Sequence, residues 1–460
     1  MIPFELRSPD TGNALKADGP HALRDAETGA RWPVIDAIPY LRVGREALVE
    51  RVLAHLDAGE ADEALAALLA DQDDWWTGPP ADPAGIVRLI RERRTASLRD
   101  AVHLLGWGRV GDYFLHRWSD PTFLAGLSLL EAHWNDPICV FEFACGIGHY
   151  LRALQSRGCK VAGADVVFAK LWVARHWVVG EKAQLVCFDA GSPHWPIPGA
   201  PVDLVACNDA FYFLDDKATL LDCLRQNAGD DGWLALSHIH NRDCPGFSAG
   251  RAVTAEEIAE LFPDALVYDD AELTRALVAA RAPSPQEPAA LGTCEAFSVV
   301  CGPGMRPAPR ALVDGLTLPK PGTVLRLNPL YEPVAAGSLP PPSAGEDGPR
   351  VSEGRERGAT VQEEAPTFVT AAFLPDAGLP SPDPLRGPPF PAEGKGSDAE
   401  PVAHYVIRWP SERYEAEYAP RATYPMRSPG PEHLTFDGSL DRPQAQRVRV
   451  REFVDLPERW

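Results

Sequence analysis

The chain has 460 residues, room for two or three domains and a sizeable core. It is 45% hydrophobic and 24% charged, an ordinary balance for a globular protein, with 46 prolines gathered late in the chain. The net charge of -21 repels phosphate backbones and anionic lipid, which argues against a broad nucleic-acid or membrane surface.

Nine cysteines, none in a C-x-x-C pair, read as reduced thiols of a cytoplasmic protein rather than a disulfide scaffold. "MIPFELRSPD" carries no basic-then-apolar leader. The greasiest stretch, "VVFAKLWVARHWVV", is broken by Lys170 and Arg175 and is too short to span a bilayer.

Residues 1–43 form a small turn-rich β module closing on "RWPVIDAIPYL". From 44 to 130 the pattern becomes helical. Leu48, Val52 and Leu56 repeat at spacing four, and "VGDYFLHRWSDPTFLAGLSLLEAHW" reads as amphipathic helix broken near Pro121. The basic run "RLIRERR" reads as the solvated face of one such helix. Within 131–304, short apolar runs alternate with helical stretches: "ICVFEF", "KVAGADVV", "AQLVCFD", "VDLVACN" and "GWLALSHI". That alternation predicts an α/β domain with a doubly wound, mostly parallel sheet. "CEAFSVVCG" reads as a last strand pairing at an edge. Residues 305–333 read as an extension, 334–400 as a disordered Pro/Gly-rich linker, and 401–460 as a tail that recovers aromatics and docks on the body or on a partner.

"VFEFACGIGHY" takes a strand into a glycine-spaced turn and a helix. Gly146 and Gly148 let a ligand lie against bare main chain at the positive end of that helix. Leu151 stands where a dinucleotide fingerprint needs its third glycine, and no G-K-[ST] follows. The alternative is a tight turn serving packing alone. Further strand ends add polar groups. Asp165, 19 residues after Gly146, suits the two hydroxyls of a ribose; Asp189 could accept from an adenine amino group; Asn208-Asp209 ends the fourth strand. Each could equally be a capping or turn residue.

Taken together, residues 135–303 resemble the class I S-adenosylmethionine-dependent methyltransferases, a Rossmann-like fold. Glu142, Gly146 and Gly148 match the family's first motif, with Ala144 in place of its usual earlier glycine. Asp165 matches the ribose-binding acid, Asp189-Ala190 the adenine-facing motif, and Asn208 the fourth motif. The resemblance implies S-adenosylmethionine as cofactor, its methionine end in the glycine turn and its ammonium near Glu142. An acceptor hydroxyl or amine then calls for a base. His238 and His240 in "SHIHN" share one face of a strand and are candidates, with Tyr212 beside the acceptor and His149 beside the turn. Packing accounts for each of these equally well. As a metal pair the histidines lack visible carboxylate or cysteine partners, so no metal is expected. "NPLY" at 328–331 imitates a DNA-methyltransferase motif but follows the last strand, and reads as a turn.

The module "LRSPDTGNAL…WPVIDAIPYL" resembles the small zinc-ribbon-like domain that activates, or is fused ahead of, some methyltransferases. That family's paired cysteines fall at Ser8, Thr11, Asp25 and Thr28, so no zinc is expected and packing of Leu6, Leu15, Trp32, Val34, Ile38 and Leu41 must hold the module. The expectation is methyl transfer to a small-molecule or protein acceptor. The alternative is a non-catalytic scaffold of the same fold acting through its Pro-rich tail.

Overall fold

The computed structural model describes residues 5–74, 76–197, 202–244, 250–335, 402–425, 427, 430–440 and 443–460. The linker expected at 334–400 therefore lies almost wholly outside the described residues. The ribbon comprises β1 (Leu15–Ala17), β2 (Ala22–Asp25), β3 (Arg31–Ile35) and β4 (Ile38–Pro39), paired antiparallel in that order. Of the residues expected to hold the module by packing, Trp32, Ile38 and Leu41 are buried, whereas Leu6, Leu15 and Val34 are only half-buried. Asp25 sits where a ribbon would place a ligand cysteine. It accepts from the Thr11 hydroxyl at 2.7 Å and from the N–H groups of Glu27 and Thr28 at 2.9 and 3.2 Å. One carboxylate thus ties the turn at Thr11 to that at Glu27 and Thr28 by hydrogen bonds.

The chain then climbs through α1 (Glu46–Asp57), α2 (Ala61–Leu69), α3 (Pro83–Glu92), α4 (Leu98–Leu104) and α5 (Gly108–His116). Asp120 caps α6 (Pro121–Ala132), accepting from the Phe123 N–H at 2.7 Å, with Pro121 pre-set for the first turn. The sequence reads this stretch as amphipathic, but every residue of α6 is buried. It packs between the sheet and a later helix, so no face is left for solvent.

The domain alternates β5 (Cys139–Phe143), α7 (His149–Ser156), β6 (Lys160–Asp165), α8 (Phe168–Val173), β7 (Gln184–Cys187), β8 (Leu204–Asn208), α9 (Lys217–Ala228) and β9 (Trp233–His240). It closes with α10 (Ala255–Leu261), β10 (Leu266–Asp269), α11 (Asp270–Val278) and β11 (Ala296–Cys301). The seven-stranded sheet runs β10-β11-β9-β8-β5-β6-β7, parallel from β9 to β7 and antiparallel at β11 and β10. This is the Rossmann-like architecture. The last strand differs from expectation in place: β11 lies inside the sheet, and the short β10, which carries little periodicity, takes the edge. At the other edge the ribbon covers β7. Tyr40 bridges to Cys187 and the Leu41 N–H donates to the Cys187 carbonyl at 2.7 Å, which removes an exposed strand edge.

Order of strands reverses at β5, so the ends of β5 and β8 diverge into a crevice where open α/β sheets take ligands. After the domain, β12 (Val324–Leu327) pairs with β15 (His433–Thr435) and β16 (Phe453–Val454), and β13 (Tyr331–Ala335) with β14 (Val402–Ile407). "NPLY" is the turn into β13: Asn328 accepts from the Leu330 N–H at 3.0 Å and takes no part in the crevice. Two short helices complete the tail, α12 (Glu412–Tyr418) and α13 (Pro443–Arg449), and the chain end folds onto α4, where Arg99 covers the Trp460 ring at 3.6 Å.

Candidate active site

A cavity of ≈ 410 Å3 opens over the ends of β5, β6 and β8. That is within the range of small-molecule sites, about 300–1,000 Å3. One half is built from strand ends. The turn after β5 runs through three positive φ values, Ala144 at 56°, Gly146 at 55° and Gly148 at 84°. Glycine accepts that backbone freely, whereas alanine carries a strain cost. A Cβ on Gly146 would stand 3.1 Å from the Phe114 ring, and one on Gly148 3.0 Å from Val179. Both positions thus need bare main chain.

Asp165 ends β6 and faces the cavity. Its oxygens accept from the Gly146 N–H at 3.0 Å and the Val167 N–H at 2.9 Å, and Lys170 stands 3.5 Å away. The carboxylate is locked against the glycine turn, with lone pairs left for a ligand. Asp189 lies two residues beyond β7 rather than on it; it accepts from the Gly191 N–H at 2.8 Å and lines the cavity with Ala190. Glu142 is buried at the floor. One oxygen accepts from the Asn208 amide at 3.0 Å, and Asn208 in turn accepts from the Ser237 hydroxyl at 2.8 Å. The other oxygen, Oε2, has no partner. Burial pushes this carboxyl up to about 8, against the Asn208 hydrogen bond that favours its charge.

The other half comes from distant parts of the chain. Asp209, held at φ 53°, is gripped at once by the Tyr113 hydroxyl at 2.7 Å, the Arg117 guanidinium at 2.8 Å and the Tyr212 hydroxyl at 2.9 Å. Burial works against its charge, but the Arg117 guanidinium, aided by the Tyr113 hydrogen bond, holds it below the usual carboxylate range. A β-bulge in β9 opposite Ser298 sets His238 at φ 56° and brings its ring to 4.7 Å from that of His240. His238 Nδ1 meets Asp270 at 2.6 Å, and the Ser298 hydroxyl donates to the same carboxylate at 2.5 Å. Burial lowers His240 to about 3, so its imidazole is neutral and faces the cavity. His238 is pulled down by burial and up by Asp209 and the Asp270 hydrogen bond, with a net rise.

Seven of the eight residues expected on the cofactor side line one crevice, while Gly148 packs toward Val179 instead; Tyr212 and His240 line the far half, with His238 bonded to Asp270 behind them. His149 bonds the Phe114 carbonyl at 2.9 Å, so it positions a cavity wall. The carboxylate partners missing from the sequence reading of the histidines exist in space. Asp209, His238 and His240 offer ligand atoms within 4.8 Å of one another. Asp209 already accepts from three donors, and His238 Nδ1 is taken by Asp270, so the set is better satisfied as a hydrogen-bonded cluster than as a cation site. Sequence reasoning missed Asp270, the full grip on Asp209 and the α12 tyrosines. None carries a local pattern; only the stiff "YFLHRWSD" and "RYEAEY" aromatics hinted at packed surfaces.

A family model described as a methyltransferase domain matches residues 115–280. Trans-aconitate 2-methyltransferase of Azoarcus sp. is 32% identical over 146 residues, 29% of this chain and 56% of that protein. Ubiquinone biosynthesis O-methyltransferase of Leptothrix cholodnii is 26% identical over 164 residues, 32% of this chain and 68% of that protein. The chain thus spans little more than half the length of the first of these relatives. A solved Haemonchus contortus phosphoethanolamine N-methyltransferase 2 with S-adenosyl-L-methionine is 18% identical, covering 38% of this chain and 46% of that one, with a TM-score of 0.30. Residues 115–280 are thus similar to methyltransferase domains. The crevice fits S-adenosylmethionine: a buried Glu142 oxygen without a partner suits a cation, and Gly146 keeps the main chain bare beside it. Among the described residues no helix is long and apolar enough to cross a membrane.

Proposed function

We propose that the whole chain transfers a methyl group from S-adenosylmethionine to an acceptor other than nucleic acid. Four successive strands delivering Glu142, Asp165, Asp189 and Asn208 to one crevice carry this reading. When bound, the cofactor supplies a methyl group on a positive sulfur, a good leaving group. Glu142 binds its ammonium, with Asn208 fixing the carboxylate. The turn at Ala144, Gly146 and Gly148 holds the methionine end by backbone groups, Asp165 accepts from the ribose hydroxyls, and Asp189 and Ala190 border the adenine.

His240, kept neutral by burial, accepts a hydrogen bond from the acceptor's hydroxyl or amine at a ring nitrogen and so orients it, and the proton leaves to solvent. Tyr212 orients the acceptor with Asp209, and His238, anchored by Asp270, positions His240. Positioning the nucleophile in line and excluding water are the remaining tasks of the walls. We read the N-terminal ribbon as a brace acting in cis. Arg42, buried beside the β7 edge, pairs with Asp71 at 2.5 Å, next to the cavity-lining Gln72 and Asp73.

Calorimetry tests the reading. Wild type binds S-adenosylmethionine and Asp165→Ala weakens that binding about ten- to a hundredfold; absence of binding in wild type overturns it. Methyl-labelled cofactor incubated with cell extract then reports which fraction takes up label.

A further inference from the structure

The acceptor half of the cavity has a composition of its own. Its walls are Tyr113, Tyr212 and Phe213 from the body and Tyr414 and Tyr418 from α12, a tail helix reached only after a long excursion of the chain. Tyr414 and Tyr418 lie against each other with ring centroids 4.3 Å apart, and Tyr212 against Phe213 at 4.4 Å. Such stiff, flat walls favour flat guests.

Charge points the same way. Eight carboxylates line the whole cavity against four Lys and Arg side chains. Those four are already engaged. Arg117 pairs with Asp209 at 2.8 Å and stands 3.8 Å from Asp120. Lys170 lies 3.5 Å from Asp165 and 3.9 Å from Asp73. Arg109 and Arg413 have interactions as well. A phosphate or carboxylate carried by the acceptor into the half beside Asp209 and Glu417 would find the nearby arginines already engaged and meet carboxylates of its own sign. It would lose its hydration without compensation.

Resting on the methyltransferase reading, we propose that the acceptor is a flat aromatic compound carrying its hydroxyl or amino nucleophile on an otherwise uncharged ring, and that Tyr414 and Tyr418 of the tail select it. Phosphorylated and carboxylated acceptors are excluded by the cavity's charge. The tail helix is then part of the acceptor site, and the body alone has an unfinished wall.

The test uses the full chain with S-adenosylhomocysteine bound, so that failure of the cofactor reading shows first as failure to bind that compound. Catechol and aniline serve as neutral aromatic probes, and trans-aconitate and phosphoethanolamine as anionic ones, each titrated by calorimetry or NMR. The expected result is saturable binding of an aromatic probe and none of the anions. In Tyr418→Leu the aromatic probe weakens about three- to tenfold, the loss of one ring contact, while S-adenosylhomocysteine affinity holds. Asp209→Asn, which unmasks the Arg117 charge, gains measurable trans-aconitate binding; it also keeps the proposal testable should the Tyr418 variant fail to fold. Tighter binding of either anion than of both aromatics by wild type overturns the proposal, as does absence of any aromatic binding.

Discussion

The two halves of the cavity are made in different ways. The cofactor half comes from four strand ends within about seventy consecutive residues, and each polar group there is placed by its own strand. The acceptor half takes Tyr113 and Arg117 from the helices before the sheet, His240 from a bulged β9, and Tyr414 and Tyr418 from the tail. A half built locally constrains the sequence to a pattern that can be recognised. A half assembled from afar is free to vary in its parts, and substrate choice belongs to it.

That division can be broken by variants that strike one half alone. The largest effect is expected from His240→Ala. Loss of the group that orients the nucleophile lowers the rate about 10²-fold, with cofactor affinity unchanged, as read by label transfer and calorimetry together. Asp165→Ala does the reverse: cofactor affinity falls by about 1.5–3 kcal/mol, the value of charged hydrogen bonds, while the acceptor probes still bind. An equal loss of both kinds of binding in either variant would dissolve the two-half picture.

Glu142 sharpens it. In the free protein this carboxyl is neutral below about 8, and a bound ammonium needs it charged. Cofactor affinity should therefore rise between about pH 6 and 8, with a proton released on binding, and Glu142→Gln should flatten the slope. Buffer-dependent calorimetric heats count that proton.

The ribbon supplies a third, smaller test. Its Asp25 is held well below the usual carboxylate range, first by the Thr11 hydroxyl and then by the Glu27 and Thr28 N–H groups. Its contribution to stability is present above the ordinary carboxyl range and fades as acid protonates it. Asp25→Ala should lower the melting temperature at pH 7, whereas a zinc chelator leaves wild type unmoved. The smallest effect is expected at Ala144, whose φ of 56° suits glycine. Ala144→Gly should add about 0.5–1 kcal/mol of stability by denaturant unfolding, strain relief exceeding the entropy cost.

Much of the cofactor half was legible because a strand-turn-helix unit binds through its own backbone. Gly146, Gly148 and Asp165 must recur at fixed spacing for the geometry to exist, and spacing is visible in a sequence. The swap of edge strand between β10 and β11 was not legible, since a run as short as Leu266–Asp269 carries too little periodicity to be told from a loop. Nor was the burial of α6, whose polar Thr122, Ser128 and Glu131 suggested a solvent face until elements packed on both sides covered it.

The sequence by itself determined the alternating architecture, the bare glycine turn and the acids that follow it, because each depends on residues near in the chain. Only the tertiary structure decided that Asp209 is shared by Tyr113, Arg117 and Tyr212, that Asp270 stands behind His238, and that the tail closes the acceptor wall. Apart from Asp209 and Tyr212, three residues apart, those contacts join positions from about thirty to three hundred residues apart. Burial, not chain proximity, brings them together, because charges and phenols removed from water must find their partners wherever the packed core puts them.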